Sequence, residues 1–242
     1  MQGSLEDDFA ALRKLRDDDA SGALKEFFGD AEDPREWKDE DGDKVITELK
    51  HSRVTGFRLY KCSKLAALPD AIGELGALTK LVLYGCTSLA ALPDAIGELK
   101  ALRTLDLSGC PSLAALPDSI GKLGALSTLD LNRCSSLTYP PKEMHDNVHK
   151  TVGFCCLKLL EDGASVADVE KSILNHVIVE DAHAERVDAL ARKDPAFADI
   201  TKAAKAVLDM DFAALRKLRD DDASGALKEF FGDGEDLSLI HI

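Results

Sequence analysis

Aromatic residues are scarce in this 242-residue chain: 5% of the total, with nine phenylalanines, three tyrosines and a single tryptophan, Trp37. A core with so few rings must be filled by aliphatic side chains, and leucine and alanine supply them. Positive charge is also short. Thirty lysines and arginines stand against 44 aspartates and glutamates, a formal net charge of −14. A surface of that sign repels phosphate backbones and anionic lipid, so neither nucleic acid nor a membrane surface is an expected partner. No apolar run reaches the roughly 18 residues that span a bilayer. The opening segment, MQGSLEDDFA, has no basic region and no apolar run of the export type, which sets the expectation of a cytoplasmic protein. The phosphate-cradling patterns G-x-x-x-x-G-K-[ST] and G-x-G-x-x-G are missing, as is G-x-S-x-G. No catalytic residue and no cofactor is therefore expected. What is present is 45% apolar residues, enough for a packed core rather than a disordered tail.

Two constellations offer metal chemistry and fall short. His145 and His149 are four apart and would share a helix face, but H-D-N-V-H lacks the Glu of H-E-x-x-H and has no third ligand at motif spacing. They read as solvated helix histidines. Asp39-Glu-Asp41-Gly42-Asp43 opens like a calcium loop, yet its sixth and twelfth positions are Lys44 and Lys50 where Gly and Glu are needed. It reads as a solvated acidic loop, and no metal is expected.

A repeat governs the middle of the chain. Val54-Thr-Gly-Phe57-Arg-Leu59-Tyr-Lys-Cys62 is followed by Leu78-Thr-Lys-Leu81-Val-Leu83-Tyr-Gly-Cys86. Leu102-Arg-Thr-Leu105-Asp-Leu107-Ser-Gly-Cys110 and Leu126-Ser-Thr-Leu129-Asp-Leu131-Asn-Arg-Cys134 complete the set. The starts at 54, 78, 102 and 126 are 24 residues apart, and each unit continues as L-x-A-L-P-D-x-I-G-x-L until the last degrades to Leu137-Thr-Tyr-Pro140-Pro141. Leu81 and Leu83, or Leu105 and Leu107, share one face at the strand period of two. Proline cannot donate to a ladder, and Asp70, Asp94 and Asp118 are placed to cap a short helical turn after it. One such unit cannot bury its own apolar face, so the copies must stack and both ends need caps.

These units resemble the leucine-rich repeat family, in the LxxLxLxxCxxLxxLPxxIGxL form of plant disease-resistance proteins and their algal relatives. The resemblance implies an α/β solenoid over residues 54–141: a parallel sheet on the concave side, turns or short helices on the convex side, and α-helical caps at the ends. It implies that Cys62, Cys86, Cys110 and Cys134 hold the buried ladder position, bonding to turn backbone of neighbouring repeats. Equivalent cysteines one strand spacing apart are within disulfide range. Ladder side chains point in parallel, however, so free thiols are expected. Cys155 and Cys156, in an apolar helical stretch, read as small core residues.

The resemblance also implies binding of a protein or peptide on the concave sheet. By repeat position its residues are Arg58, Tyr60 and Lys61, then Lys80, Val82 and Tyr84, then Thr104, Asp106 and Ser108, and finally Thr128, Asp130, Asn132 and Arg133, with Gly56, Gly85 and Gly109 between them. The first two units bring bases beside tyrosines and the last two bring acids. An acidic or phosphorylated partner is the expectation for the basic end. The alternative is the recognition or regulatory arm of a larger enzyme or receptor, of kinase or nucleotide-switch type.

The flanks read as helical. Residues 1–53 resemble the N-terminal cap of plant-type repeat proteins, a helical segment followed by Trp37 and the strand Arg53-Val54-Thr55, without the paired cysteines of secreted members. Residues 142–210 read as a helical C-terminal cap and linker, with runs over 142–161, from a Ser165–Asp168 capping box toward Glu180, over 182–193 and over 196–219. Residues 211–236 repeat residues 8–33 at 25 of 26 positions. The closing LSLIHI, 237–242, reads as a translated sequencing-adapter end, which sets the expectation of a fragment whose second module continues past Asp236.

Overall fold

A computed structural model describes residues 3–39, 41–177 and 183–208. The second copy at 211–236 and the tail at 237–242 lie outside the described residues, as does the end of the helical run expected to reach Arg219.

The chain opens with a capping box. Ser4 Oγ accepts from the Asp7 N–H at 3.2 Å and the Asp7 carboxylate accepts from the Ser4 N–H at 2.6 Å, starting helix α1 (Leu5–Asp17). Asp19 then tethers the start of α2 (Ala23–Phe28) by accepting from the Leu24 N–H at 2.8 Å. Phe28 stacks on Trp37 with ring centroids 4.3 Å apart and meets Phe57 edge-on at 6.4 Å. Three of the chain's rings thus meet here, where the solenoid begins and no preceding repeat covers its first layer.

Strand β1 (Ile46–Lys50) turns back on β2 (Arg53–Arg58) through His51 and Ser52, both with positive φ. That two-residue left-handed turn matches the twist of a hairpin. The sheet continues in parallel through β3 (Lys80–Val82), β4 (Thr104–Asp106) and β5 (Thr128–Asp130), in the order β1-β2-β3-β4-β5. Partners such as Leu81↔Leu105↔Leu129 differ by the 24 residues of the repeat. A second ladder runs on the same period through Ala67, Ala91, Ala115 and Tyr139. Between the ladders the repeat leucines and isoleucines are buried, among them Leu59, Leu83 and Leu107 and Ile72, Ile96 and Ile120.

The convex turns are 3-10 helices over Asp70–Glu74, Asp94–Glu98 and Asp118–Lys122. Their first aspartates do not cap them. The preceding prolines, Pro69, Pro93 and Pro117, hold the cap position with extended backbone, and the turns have no side-chain cap. Each carboxylate is instead the first residue inside the turn, and Asp118 accepts from the Tyr139 hydroxyl at 2.5 Å. The glycine within the last of these turns serves the cap. A Cβ on Gly121 would stand 2.3 Å from the backbone N of Cys156 in α3 (Val148–Glu161), which lies directly on the turn. Gly121→Ala is expected to lift α3 and cost about 1–3 kcal/mol, read as a lowered unfolding midpoint in urea. An unchanged midpoint would show that the cap seats otherwise.

The C-terminal helices depart from the sequence expectation at their start. Residues 142–161 do not form one run. Lys142–Met144 is a 3-10 turn, and Asn147 starts α3 separately by accepting from the His149 N–H at 2.6 Å. His145 and His149 therefore do not share a helix face, and His149 is not simply solvated. Its Nδ1 lies 2.8 Å from the Asn175 carbonyl and 3.0 Å from Nδ1 of buried His176. Ser165 and Asp168 form the serine half of the expected box, with the Asp168 N–H on Ser165 Oγ at 3.3 Å and the Ser165 hydroxyl donating to the Asp168 carboxylate at 2.7 Å; α4 (Val166–Ser172) follows, ending in a π-helical turn over Ile173–Val177. Helices α5 (Ala184–Ala191) and α6 (Pro195–Leu208) close the unit around Leu157, Ile173, Phe197 and Ile200. Among the described residues no helix is long and apolar enough to cross a membrane.

Candidate functional site

The concave sheet presents three outward rows, fixed by register. Gly56, Lys80, Thr104 and Thr128 are paired across β2 to β5, and so are Arg58, Val82, Asp106 and Asp130. Two residues further on lie Tyr60, Tyr84, Ser108 and Asn132. Period-two alternation turns these side chains outward because their neighbours, Phe57, Leu81 and Leu105 in the strands and Leu59, Leu83 and Leu107 after them, fill the core. Tyr60 and Tyr84 stack with centroids 5.0 Å apart and planes 9° from parallel, both half-buried on this face.

The charge of the basic end differs from the sequence expectation. Arg58 is not free: NH2 lies 2.5 Å from Asp39 and 3.0 Å from Asp43. Lys61 Nζ is 3.8 Å from Asp41 and stands 4.7 Å from the Tyr60 ring centroid. In the acidic loop Asp41, Gly42 and Asp43 are exposed, as expected, whereas Asp39 is buried. Asp39 is 6% exposed, and its Oδ1 accepts from the Asp41 and Asp43 N–H groups at 3.1 and 2.9 Å. That wound loop places three carboxylates beside the first repeat. Sequence reasoning missed them because the β1–β2 hairpin that folds the loop back has no Asn-Gly at its turn. The usable signal was Arg58, a base in a strand next to an acidic run. Lys80 remains exposed on the same face.

Ser108 is also corrected. It is 7% exposed rather than open on the face, with its hydroxyl donating to Asp106 Oδ1 at 2.5 Å. Asp130 likewise accepts from the Asn132 N–H at 2.9 Å. Thr128, Asn132 and Arg133 are exposed, and Thr104, Val82 and Asp106 half-buried. The loop position after the third row requires left-handed backbone: φ is +57° at Lys61, +71° at Gly85, +74° at Gly109 and +61° at Arg133. The inner two are glycine because the loops touch there; a Cβ on Gly109 would lie 3.3 Å from the Cα of Gly85.

Below the face run the cysteines. Cys86, Cys110 and Cys134 donate to the carbonyls of Leu59, Leu83 and Leu107 at 3.5, 3.2 and 3.1 Å, each reaching into the preceding repeat. None of the six cysteines is in a disulfide. Burial raises the thiols of Cys86 and Cys110, the latter to about 12, so they stay protonated and unreactive at neutral pH. Cys155 and Cys156 are buried core residues of α3, as expected. Native protein at pH 7.5 is expected to resist alkylation at Cys86, Cys110, Cys155 and Cys156. Rapid labelling of any of them without denaturant, seen by mass spectrometry, would contradict the buried arrangement.

Among known families, the model described as Leucine Rich Repeat matches residues 101–123, the third repeat with its turn. No curated protein matches the chain. Parallel strands stacked on a 24-residue period, buried leucines at every copy and the thiol ladder agree with the family match, and together they support leucine-rich repeats in the middle of this chain.

Proposed function

We propose that the chain is a non-catalytic scaffold that holds a protein or peptide on its concave sheet. The observation that supports this most is the Tyr60–Tyr84 stack, two rings set parallel on an open sheet face. Paired aromatics on a rigid backbone give large contact area for little lost side-chain entropy, which is the make-up of an interface hot spot. The chemistry of the ligand follows from the charges left unspent. Arg58 and Lys61 face Asp39, Asp41 and Asp43, so Lys80 is the base that a carboxylate or phosphate on the partner would meet beside the rings. Asp106 and Asp130 at the far end favour a neutral or basic group there. An acidic or phosphorylated residue over Tyr84 and Lys80, followed by a chain running toward β5, satisfies both ends.

Capture of partners from a cell extract by the full chain, compared with Tyr60→Ala/Tyr84→Ala, tests the face. Loss of about 2 kcal/mol or more, roughly a thirtyfold drop in affinity, is expected for a hot-spot pair. Equal recovery of the same partners by both proteins would remove this face as the site. Lys80→Glu is expected to weaken acidic partners specifically; if it strengthens them, the assigned polarity is reversed.

A further inference from the structure

The internal joints of the sheet show what each strand offers to the next. The Leu83 and Gly85 N–H groups donate to the Asp106 and Ser108 carbonyls at 2.8 and 2.9 Å, and one repeat further on the Leu107 and Gly109 N–H groups donate to Asp130 and Asn132 at 2.9 and 2.8 Å. In return the Thr79 and Arg103 carbonyls accept from the Arg103 and Ser127 N–H groups at 2.8 and 2.9 Å. At β5 the same outgoing groups reach the edge of the sheet. Among the described residues, the Leu131 and Arg133 N–H groups have no acceptor and the Ser127 carbonyl has no donor. The core layer beneath is open to match. Leu105, Leu107 and Cys110 are fully buried, whereas their equivalents Leu129, Leu131 and Cys134 are half-buried. The helices α3 and α4 pack on the convex turn over Asp118–Lys122, at the back of this layer.

The charge at this edge is also one-sided. Asp106 and Asp130 are register partners on the concave side, and their hydrogen bonds come from Ser108 and from the Asn132 N–H; among the described residues neither carboxylate meets a base. Like charges directly across a strand pair are unfavourable, and a cation in the next strand offsets them. We infer that the outer edge of β5 takes an extended segment of a partner protein as a sixth parallel strand, in which Leu-x-Leu completes the half-open core layer and a lysine or arginine at x lies beside Asp130. Main-chain hydrogen bonds give such strand addition its hold, and the alternating side chains give it selectivity. The occupant is a different protein because a second copy has no matching half to offer: the incoming side of its β2 is covered by β1. This contact is separate from the Tyr60–Tyr84 face and does not depend on it.

The capped peptide acetyl-LRTLKLSG-amide, which copies residues 102–109 with lysine in place of Asp106, is the probe. Fluorescence anisotropy of its labelled form with the full chain gives affinity, and hydrogen exchange over residues 126–136 gives location. Binding is expected to slow exchange at the Leu131 and Arg133 amides, and to be about tenfold tighter than for the same peptide with glutamate in place of its lysine. Asp130→Lys, a change on the open side of the strand, is expected to reverse that preference. Leu131→Pro removes an outward N–H on an edge, where proline is tolerated, and is expected to abolish binding. Tyr60→Ala/Tyr84→Ala is expected to bind the probe as the wild type does. No binding of the lysine peptide, an unreversed preference in Asp130→Lys, or loss of binding in the tyrosine variant would overturn the inference. So would Leu131 and Arg133 amides that exchange slowly before any peptide is added, since a second copy or another part of the chain would then cover the edge.

Discussion

As the pH falls from about 6.5 to about 4, protonation linked to buried His176 is expected to remove about 3 kcal/mol of stability. Burial is the largest cause: the imidazole is 1% exposed, and charging it there means losing its water. His149, whose Nδ1 is 3.0 Å away, adds repulsion, while the Leu123 and Gly124 carbonyls favour the cation by less. The folded protein therefore holds His176 neutral down to about pH 4, whereas the unfolded chain takes up the proton near 6.5. Through that window the unfolded state binds more protons, so stability rises with pH, is complete above it, and is lost as pH falls. Urea unfolding of wild type and His176→Gln at pH 7 and pH 4.5 checks this. The variant should show a much shallower pH slope; equal slopes would assign the acid sensitivity elsewhere.

Trp37→Ala is expected to cost about 3–5 kcal/mol, the range for truncating a buried ring. Trp37 is 1% exposed, and its removal takes away the stack on Phe28, the Arg16 guanidinium 5.5 Å above its ring and the donor on the Ala31 carbonyl. These contacts hold the turn between α2 and the hairpin, so the first repeat would lose its lid as well as a core side chain. Trp37→Phe keeps a ring in the stack and loses the indole donor, and should cost about 1–3 kcal/mol. Unfolding followed by circular dichroism makes the comparison, since no other tryptophan is present. A Trp37→Ala loss below 1 kcal/mol would mean that the cap contributes little to the solenoid.

The periodic part of the fold was legible because a repeat states each packing relation several times. Leu81, Leu105 and their equivalents announce their face by spacing alone, and Cys86, Cys110 and Cys134 mark the ladder at the same offset. The capping elements are stated once, and their signals are weaker. The β1–β2 hairpin turns through His51 and Ser52, side chains that seldom adopt positive φ, so nothing local announced it. With the hairpin unseen, the approach of Asp39, Asp41 and Asp43 to the binding face was unseen too, and Arg58 and Lys61 looked like open charge. The burial of His176 escaped for a related reason: its partner His149 lies 27 residues away and meets it only through helix packing. Local chemistry such as the Ser165–Asp168 pairing was readable; pairings across elements without a period were not.

The reversed direction of β1 gives the sheet two unlike ends. No further unit can be stacked outside β1 in parallel register, while every junction from β2 to β5 is the same joint with the same offset. Repeat number is therefore a free variable of the design. A tandem duplication of residues 102–125 would lengthen the concave face by one strand, about 4.8 Å, and leave both caps on the surfaces they already cover. Such a lineage can change the reach of its binding surface by whole-unit copying, without having to reinvent either end.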